Sequence, residues 1–388
     1  ELKIQNLKRL ENMSTSTQPT SMVSKKKEER VMIFYFGDSP APLMEDDLSV
    51  PPVYGSEIAM HCLAVEAKKN GFQVIIFGNM LTKDYTSTTS GIMYYRSNRY
   101  SDFLQSLRYI PDILIVSRYI HFFIQHEIRA KQVYYWMHDL DLHTGWLEYH
   151  HLLPNQGKPL VQNLLHKIDR IIPVSKWHEE FMQNIYHFPN EKIHVITNGL
   201  IRSSDDRLER VPNRFIWTSN PNRGLLQCIG YLEKLVQLSQ KHISYQKIQL
   251  HIYRDNNEFA SIPGLIDALE RNKHFVFNHN YIPHNQLHQE FLKSDIWFYP
   301  TDFNETDCMS AKEAQYGGCI PICTKKAGLL YSMNEERGFY LDETPVYSLA
   351  YDKQVYKYLH HVISIMTWTE KEECRKKWDY GENRIGPF

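Results

Sequence analysis

Short apolar runs alternate with amphipathic stretches along most of the chain, and this rhythm predicts its secondary structure. Early in the chain, runs rich in β-branched and aromatic side chains predict buried strands at Val31–Phe36, Val74–Phe77, Ile113–Val116, Val133–Met137 and Ile171–Val174. Between them, apolar side chains recur at helical spacing in Glu57–Asn70, Ser101–Arg108 and Trp177–Tyr186. Alternating strands and helices predict a parallel sheet that is covered by helices on both faces.

The same rhythm returns after residue 212. It predicts strands at Phe215–Thr218, Gln249–Tyr253, Phe275–Phe277, Ile296–Tyr299 and Ile320–Cys323, and helices at Leu225–Lys241, Asn285–Lys293 and Ser310–Tyr316. The polar segment Ile201–Asn213 contains Pro212 and is the predicted linker. The predicted fold is therefore α/β, with two Rossmann-like domains that face each other across a cleft and bind ligands at the carboxyl ends of their strands.

The domain boundaries follow from these patterns. We predict a flexible N-terminal arm at residues 1–30, a first Rossmann-like domain at 31–200, the linker at 201–213, a second Rossmann-like domain at 214–365 and a C-terminal helical segment at 366–388. The arm has little periodic apolar surface to bury, which is typical of a tether. The last helix, predicted at Thr369–Asp379, is free to pack on either domain, including back on the first.

Composition narrows the class of protein further. A length of 388 residues exceeds what one hydrophobic core usually serves, which favours two domains. The 44 basic residues nearly balance the 45 acidic ones, so the chain has no overall positive charge that would attract nucleic acid. The six cysteines form no CxxC pair, which favours a reducing, cytoplasmic location over disulfides or a zinc site. No apolar run approaches the ~20 residues of a membrane span, so no transmembrane segment is predicted.

The most informative stretch runs from Tyr299 to Glu313. A predicted strand ends at Tyr299, a loop carries Glu305, and a helix is predicted to begin near Ser310 with Glu313 in its first turn. The amides of a helix N-terminus suit a diphosphate, and two flanking carboxylates can accept hydrogen bonds from sugar hydroxyls. A second interpretation stays open, because Ser310-x-x-Glu313 is also a capping-box pattern.

Glu305 and Glu313 form an E-x7-E motif before the pair Gly317-Gly318, and this arrangement resembles the donor site of retaining GT-B glycosyltransferases of family 4. The resemblance implies that Glu305 meets the donor sugar and that Glu313 binds the ribose hydroxyls. It also implies that loop amides hold the diphosphate, here those of Thr306, Asp307, Cys308 and Met309. Family members commonly carry Phe-Gly after the first glutamate, where this chain has Thr306-Asp307.

Two further segments resemble the same family. Trp217–Leu225 resembles the loop whose basic residue pairs with the diphosphate, which implies that role for Arg223, since a guanidinium can bind two phosphate oxygens together. The usual companion lysine is missing, and Arg254 is the predicted substitute. Tyr54-Gly55-Ser56-Glu57 resembles the glycine-rich loop of the first domain, in which Gly55 permits close approach of the ligand; a helix N-cap by Ser56 is the alternative.

His138 and Asp139 follow an apolar strand and allow two interpretations. On the family resemblance, His138-Asp139 ends a strand that faces the cleft, where a histidine can relay a proton near the donor sugar or the acceptor. Alternatively, Asp139-x-Asp141 resembles the Mg²⁺- or Mn²⁺-binding pair of GT-A glycosyltransferases. The second interpretation leaves the E-x7-E motif and Arg223 without a role, so we favour the first.

The sequence therefore predicts a cytoplasmic retaining glycosyltransferase that moves a sugar from a nucleoside diphosphate-sugar to a hydroxyl of a glycan or another acceptor. His138, Asp139 and Glu305 are the predicted catalytic residues. No metal and no cofactor are expected. Two alternatives remain: a GT-B epimerase or hydrolase that acts on a nucleotide sugar, and a catalytically silent GT-B module that binds a glycan or a protein. The missing Phe-Gly and the missing lysine support the silent module.

Overall fold

Two compact α/β units make up the protein. The computed structural model describes residues 30–37, 55–78, 84–142, 157–200 and 208–376. The first unit lies within residues 30–199 and the second within residues 200–376. Residues 1–29 of the predicted arm and residues 201–207 of the predicted linker lie outside the described residues, and residue 30 is the first residue of a strand.

The first unit is built on a seven-stranded sheet in the order β3-β4-β2-β1-β5-β6-β7. Its strands are β1 (Arg30–Phe36), β2 (Phe72–Gly78), β3 (Tyr85–Thr86), β4 (Met93–Arg96), β5 (Ile113–Ser117), β6 (Gln132–Trp136) and β7 (Arg170–Ile172). All neighbours are parallel except β3 and β4. All five predicted strands are present, within two residues at either end. β3 and β4 were not predicted, because strands of two and four residues carry too little alternation to detect.

Helices cover both faces of this sheet, as the alternating pattern predicts. They are α1 (Gly55–Lys69), α2 (Tyr100–Ser106), α3 (Phe122–Gln125), α4 (Gly157–Leu164) and α5 (Lys176–Tyr186). In the central strand β1, Ile33 and Tyr35 belong to one buried apolar cluster, and Phe34 and Phe36 belong to another. Burial on both faces explains why this strand is a continuous apolar run.

The second unit contains a six-stranded parallel sheet in the order β10-β9-β8-β11-β12-β13. Its strands are β8 (Val211–Trp217), β9 (Gln249–Ile252), β10 (Val276–Asn278), β11 (Ser294–Tyr299), β12 (Ile320–Thr324) and β13 (Phe339–Leu341). β8 begins at Val211, so the prediction that the linker extends to residue 213 is wrong. Asn213 has φ = 59° and its amide donates to Asp295 at 2.9 Å, an irregularity that allows Pro212 to sit at the start of a strand.

The helices of the second unit are α6 (Leu225–Gln237), α7 (Asn256–Phe259), α8 (Leu265–Arg271), α9 (His284–Lys293), α10 (Met309–Tyr316), α11 (Leu329–Ser332), α12 (Leu349–His360) and α13 (Trp368–Lys376). α6 ends four residues before the predicted Lys241, because the chain turns at Leu238, whose side chain is exposed. Among the described residues, no helix is both long and apolar enough to cross a bilayer.

A buried carboxylate fastens the last described helix to the second unit. Asp295, at the start of β11, is fully buried and accepts hydrogen bonds from Lys371 Nζ at 2.7 Å and from Arg375 Nη2. Both cations lie on α13, which therefore packs on the second unit. Residues 377–388, the remainder of the predicted C-terminal segment, lie outside the described residues.

Replacement of Asp295 should destabilise the second unit strongly. Asp295→Asn keeps the shape but leaves Lys371 and Arg375 without their buried counter-charge, a change that costs about 3–5 kcal/mol in comparable sites. Chemical denaturation measures the free energy of unfolding. Glu372→Gln is the matched control, because this glutamate pairs with Arg375 while 41% exposed, and it should cost at most ~1 kcal/mol. Equal losses in both variants would contradict this account of the anchor.

Candidate active site

The loop after β11 buries Glu305 at the carboxyl edge of the second unit's sheet. The Tyr299 hydroxyl, at the end of the strand, donates to Glu305 Oε1 at 2.6 Å, and the Gly328 amide donates to the Glu305 carbonyl at 2.7 Å. Burial, reinforced by the charge of Glu305, raises the pKa of Tyr299 well above its ordinary value, so the hydroxyl remains a donor. The carboxylate is thus fixed through both its side chain and its backbone.

Arg223 completes the environment of this carboxylate. It ends a short 3₁₀ turn after β8, and its Nη1 lies 3.0 and 3.1 Å from the two oxygens of Glu305. Its guanidinium carbon lies 4.2 Å from the centre of the Phe303 ring. Burial opposes the charge of Arg223, yet Glu305 outweighs burial and raises the arginine pKa. The structure therefore brings together two residues that the sequence singled out separately.

Gly224 makes this approach possible. Its φ is 111°, a conformation that favours glycine, and a Cβ there would lie 2.7 Å from the Pro300 carbonyl oxygen. The turn that carries Arg223 can therefore press directly against the loop that carries Glu305.

Arg254 lies in a different arrangement. It follows β9, and its Nε and Nη2 bind the two oxygens of Glu258 at 2.8 and 2.6 Å. Its guanidinium carbon also lies 4.7 Å from the centre of the Tyr281 ring. A diphosphate would have to share these donors with Glu258, so a role for Arg254 in donor binding stays a prediction.

Glu313 does not cap its own helix. α10 begins at Met309 with Cys308 as its N-cap, so Glu313 lies beyond the first turn, and both its predicted place there and the capping-box interpretation are wrong. Ser310 instead accepts a hydrogen bond from the hydroxyl of Ser219 at 3.1 Å. Glu313 instead faces α9, where its Oε1 lies 2.6 Å from Nε2 of His284.

His284 escaped sequence reasoning because the chain contains 19 histidines and no motif singles this one out. Burial lowers its pKa, but the hydrogen bond and the charge of Glu313 outweigh burial, so the net shift is upward. The sequence feature that could have indicated His284 is its spacing of four residues from His288, which places both on one face of a helix.

The segment Thr306–Met309 is only partly available to a ligand. Asp307 is buried, with its carboxylate 2.6 Å from Lys312 Nζ and 2.9 Å from the Ser332 hydroxyl. The Cys308 amide, one of the four predicted diphosphate donors, donates to the same hydroxyl at 2.9 Å. Thr306 and Met309 are half-buried. The ion pair of Asp307 with Lys312 thus occupies the place where the family commonly has a glycine.

A second charged cluster lies at the carboxyl edge of the first unit's sheet. Arg118 follows β5 and binds Asp139, which follows β6, through two hydrogen bonds of 2.8 and 2.9 Å. The buried carboxylate of Glu57, in the first turn of α1, lies 4.0 Å from Arg118. Arg118 has φ = 72°, a strained conformation for a residue with a side chain. Arg118 and Glu57 were missed as candidates, and Gly55 begins the helix that carries Glu57.

His138 lies beside this cluster. Burial lowers its pKa well below the ordinary value, and the positive charges of Arg118 and His178 add to the effect. His138 is therefore neutral near pH 7, which is the form that a proton acceptor needs, but its lowered pKa makes it a weak base. The Asp139 carbonyl lies 3.1 Å from Nε2 of His178, so both ends of Asp139 are held. The Asp139 carboxylate is already paired with the guanidinium of Arg118, which disfavours binding of a metal cation there. The described residues contain no group of three His, Cys, Asp or Glu side chains that could hold a metal ion.

Part of the chain matches a glycosyltransferase family model, and its fold resembles solved glycosyltransferase structures. The model of Glycosyltransferase Family 4 matches residues 53–203. Sucrose-phosphate synthase from Thermosynechococcus elongatus is similar in structure, with TM-score 0.64 and 13% identity over 90% of this chain and 94% of that one. The glycosyltransferase WaaG of lipopolysaccharide biosynthesis has TM-score 0.61 and 11% identity over 89% and 93% of the two chains.

The catalytic domain of starch synthase IV from Arabidopsis thaliana, solved with ADP and acarbose, has TM-score 0.59 and 12% identity over 90% and 94%. No curated protein sequence matches the chain. Residues 53–203 thus resemble glycosyltransferase family 4, and the chain has the GT-B fold. The predicted resemblance and the predicted fold class of two Rossmann-like domains are confirmed, and the GT-A interpretation of Asp139-x-Asp141 is wrong because the fold is GT-B.

In this GT-B protein, the ion pair of Asp307 with Lys312 should be a structural replacement for the missing glycine. Lys312→Met leaves the Asp307 carboxylate buried without its cation and should cost about 3–5 kcal/mol of unfolding free energy. The double variant Asp307→Asn with Lys312→Met removes both charges and should recover most of that loss. Urea denaturation measures both. A double variant as unstable as the single one would contradict this role.

Proposed function

We propose that this GT-B protein is a retaining glycosyltransferase that transfers a sugar from a nucleoside diphosphate-sugar to a hydroxyl acceptor, a glycan or another molecule. The proposal rests mainly on one observation: Arg223 and Tyr299 both bind Glu305 at the carboxyl edge of the second unit's sheet. A buried carboxylate with fixed orientation beside a one-third exposed guanidinium suits a sugar joined to a diphosphate.

Arg223 can bind Glu305 and the donor diphosphate at the same time. Only its Nη1 contacts Glu305, and within the described residues its Nε and Nη2 make no side-chain hydrogen bond. These donors would meet negative charge as it develops on the leaving diphosphate, together with the N-terminal amides of α10. The same donors would meet a nucleoside diphosphate such as the ADP in the starch synthase neighbour. No metal is needed in this scheme.

The acceptor would be bound by the first unit. His138 is neutral and lies next to Asp139, so we assign it to accept or relay the acceptor proton, with Asp139 held in place by Arg118. All six cysteines are free thiols, which fits the cytoplasmic location that we propose.

Donor binding should not require a divalent ion. Calorimetric titration with UDP-, GDP- and ADP-sugars in excess EDTA should give the same Kd as titration with added Mg²⁺, because Arg223 and the amides of α10 supply the positive charge. Binding that disappears in EDTA would refute the metal-independent mechanism.

The two glutamates should affect different steps. If Glu313 accepts the ribose hydroxyls, Glu313→Gln should weaken nucleoside diphosphate binding by ~1.5–3 kcal/mol. Glu305→Gln should leave that affinity nearly unchanged and lower turnover, because Glu305 meets only the sugar. Affinity, turnover and melting temperature are measured together, with exposed Glu336→Gln as the control. Equal, small effects on affinity from both variants would remove the donor-site assignment.

One observation favours the silent-module alternative: in the absence of a ligand, both candidate arginines are already paired with glutamates. A folded protein that binds no nucleotide sugar would support that alternative. Release of free nucleotide at full rate without any acceptor would instead support the epimerase or hydrolase. Proton NMR of the product distinguishes retention from inversion at the anomeric carbon.

A further inference from the structure

We infer that His284 is a positioning residue for nucleoside recognition, which holds Glu313 so that one carboxylate oxygen stays directed to the ribose hydroxyls. The inference rests on the proposed function, since it takes the ribose of a nucleoside diphosphate as the ligand of Glu313. It adds a residue that neither the E-x7-E motif nor the matched family region contains.

The geometry is that of a short, sheltered ion pair. Nε2 of His284 lies 2.6 Å from Oε1 of Glu313, and the two side chains are 14% and 13% exposed. His284 is the first residue of α9, directly after Pro283, so its backbone position is fixed by the helix start. Within the described residues, Oε2 of Glu313 has no hydrogen bond. One oxygen is thus held by the protein and the other is left for a ligand.

A small cavity lies beside this pair and is lined by Leu200, His284, His288, Phe291, Glu313 and Tyr316. Among these described residues, the titratable groups near His284 are Glu313 and Tyr316 of α10 and His288 of its own helix. His288 packs its ring on Tyr316 at 5.2 Å, and burial, followed by the charge of His284, lowers its pKa. The pKa values of the two histidines thus shift in opposite directions, which favours the neutral form of His288 and the protonated form of His284.

A free glutamate at this place would be a weaker ribose ligand. Without a hydrogen bond on Oε1 its carboxylate can rotate, and a ligand must then immobilise it on binding. His284 removes this cost in advance, so it acts on nucleoside affinity through Glu313 and touches no ligand itself.

The test is a thermodynamic cycle that removes the histidine and a ribose hydroxyl separately. Wild type, His284→Gln and His288→Gln are titrated with whichever of ADP, GDP and UDP binds wild type best, and with its 2′-deoxy counterpart. Loss of the 2′-hydroxyl should weaken wild-type binding about 10-fold or more. The same loss should matter no more than about threefold in His284→Gln. His288→Gln, one turn further on the same helix, should behave as wild type.

Equal weakening of both ligands by His284→Gln would overturn the inference, because a merely structural histidine would not distinguish ribose from deoxyribose. Wild type that binds none of the diphosphates would refute the proposed function, and the inference with it. Wild-type binding that is weakened by Glu313→Gln but shows no coupling to His284 would refute the inference alone.

A second measurement needs no variant and covers the case in which His284→Gln does not fold. Glu313 raises the pKa of His284 above 6.5, so the charged pair is complete below that pH and is lost as pH rises through the raised value. The ratio of ribose to deoxyribose affinity in wild type should therefore fall as pH rises from below 6.5 through the raised pKa of His284, since the titration of the phosphates cancels in the ratio. A constant ratio would overturn the inference.

Discussion

The bond between Arg223 and Glu305 is the constraint on which the second unit's site depends. A carboxylate as deeply buried as that of Glu305 is tolerated only when it is paired and hydrogen-bonded. Arg223 supplies the charge, Tyr299 the hydroxyl, and each comes from a different strand end, β8 and β11. The loop conformation that presents Glu305 is therefore selected by electrostatics as much as by packing, and Gly224 is the residue that allows the two segments to meet.

The first unit uses the same solution with different residues. Arg118 after β5 binds Asp139 after the neighbouring β6, as Arg223 after β8 binds Glu305 after the neighbouring β11. In each case an arginine and an acid follow adjacent parallel strands, whose carboxyl ends must lie side by side. Each guanidinium prepares a carboxylate before any ligand arrives, so the orientation of the acid is settled by folding.

Sequence reasoning found the elements whose signal is local. β1, β2 and β5 are continuous apolar runs, and Glu305, Glu313, Arg223, His138 and Asp139 lie in recognisable segments at strand ends. It missed Arg118, Glu57 and His284 because their partners are distant along the chain: Arg118 is 21 residues from Asp139 and His284 is 29 from Glu313. Such pairings follow from sheet order and helix register, which no short window contains. The contact of Glu313 with α9 likewise depends on how the two helices pack, which the start of α10 alone does not reveal.

Gly328 shows how far the constraint on the site extends. Its amide binds the Glu305 carbonyl, and a Cβ at this position would lie 2.3 Å from the Thr306 carbonyl oxygen and 2.5 Å from that of Glu305. The segment that leads into α11 is thus pressed against the loop after β11 with no room for a methyl group. Because the two segments are in such close contact, we expect any opening of this loop for a sugar to displace α11 as well. A side chain at residue 328 would therefore disturb the loop that presents Glu305.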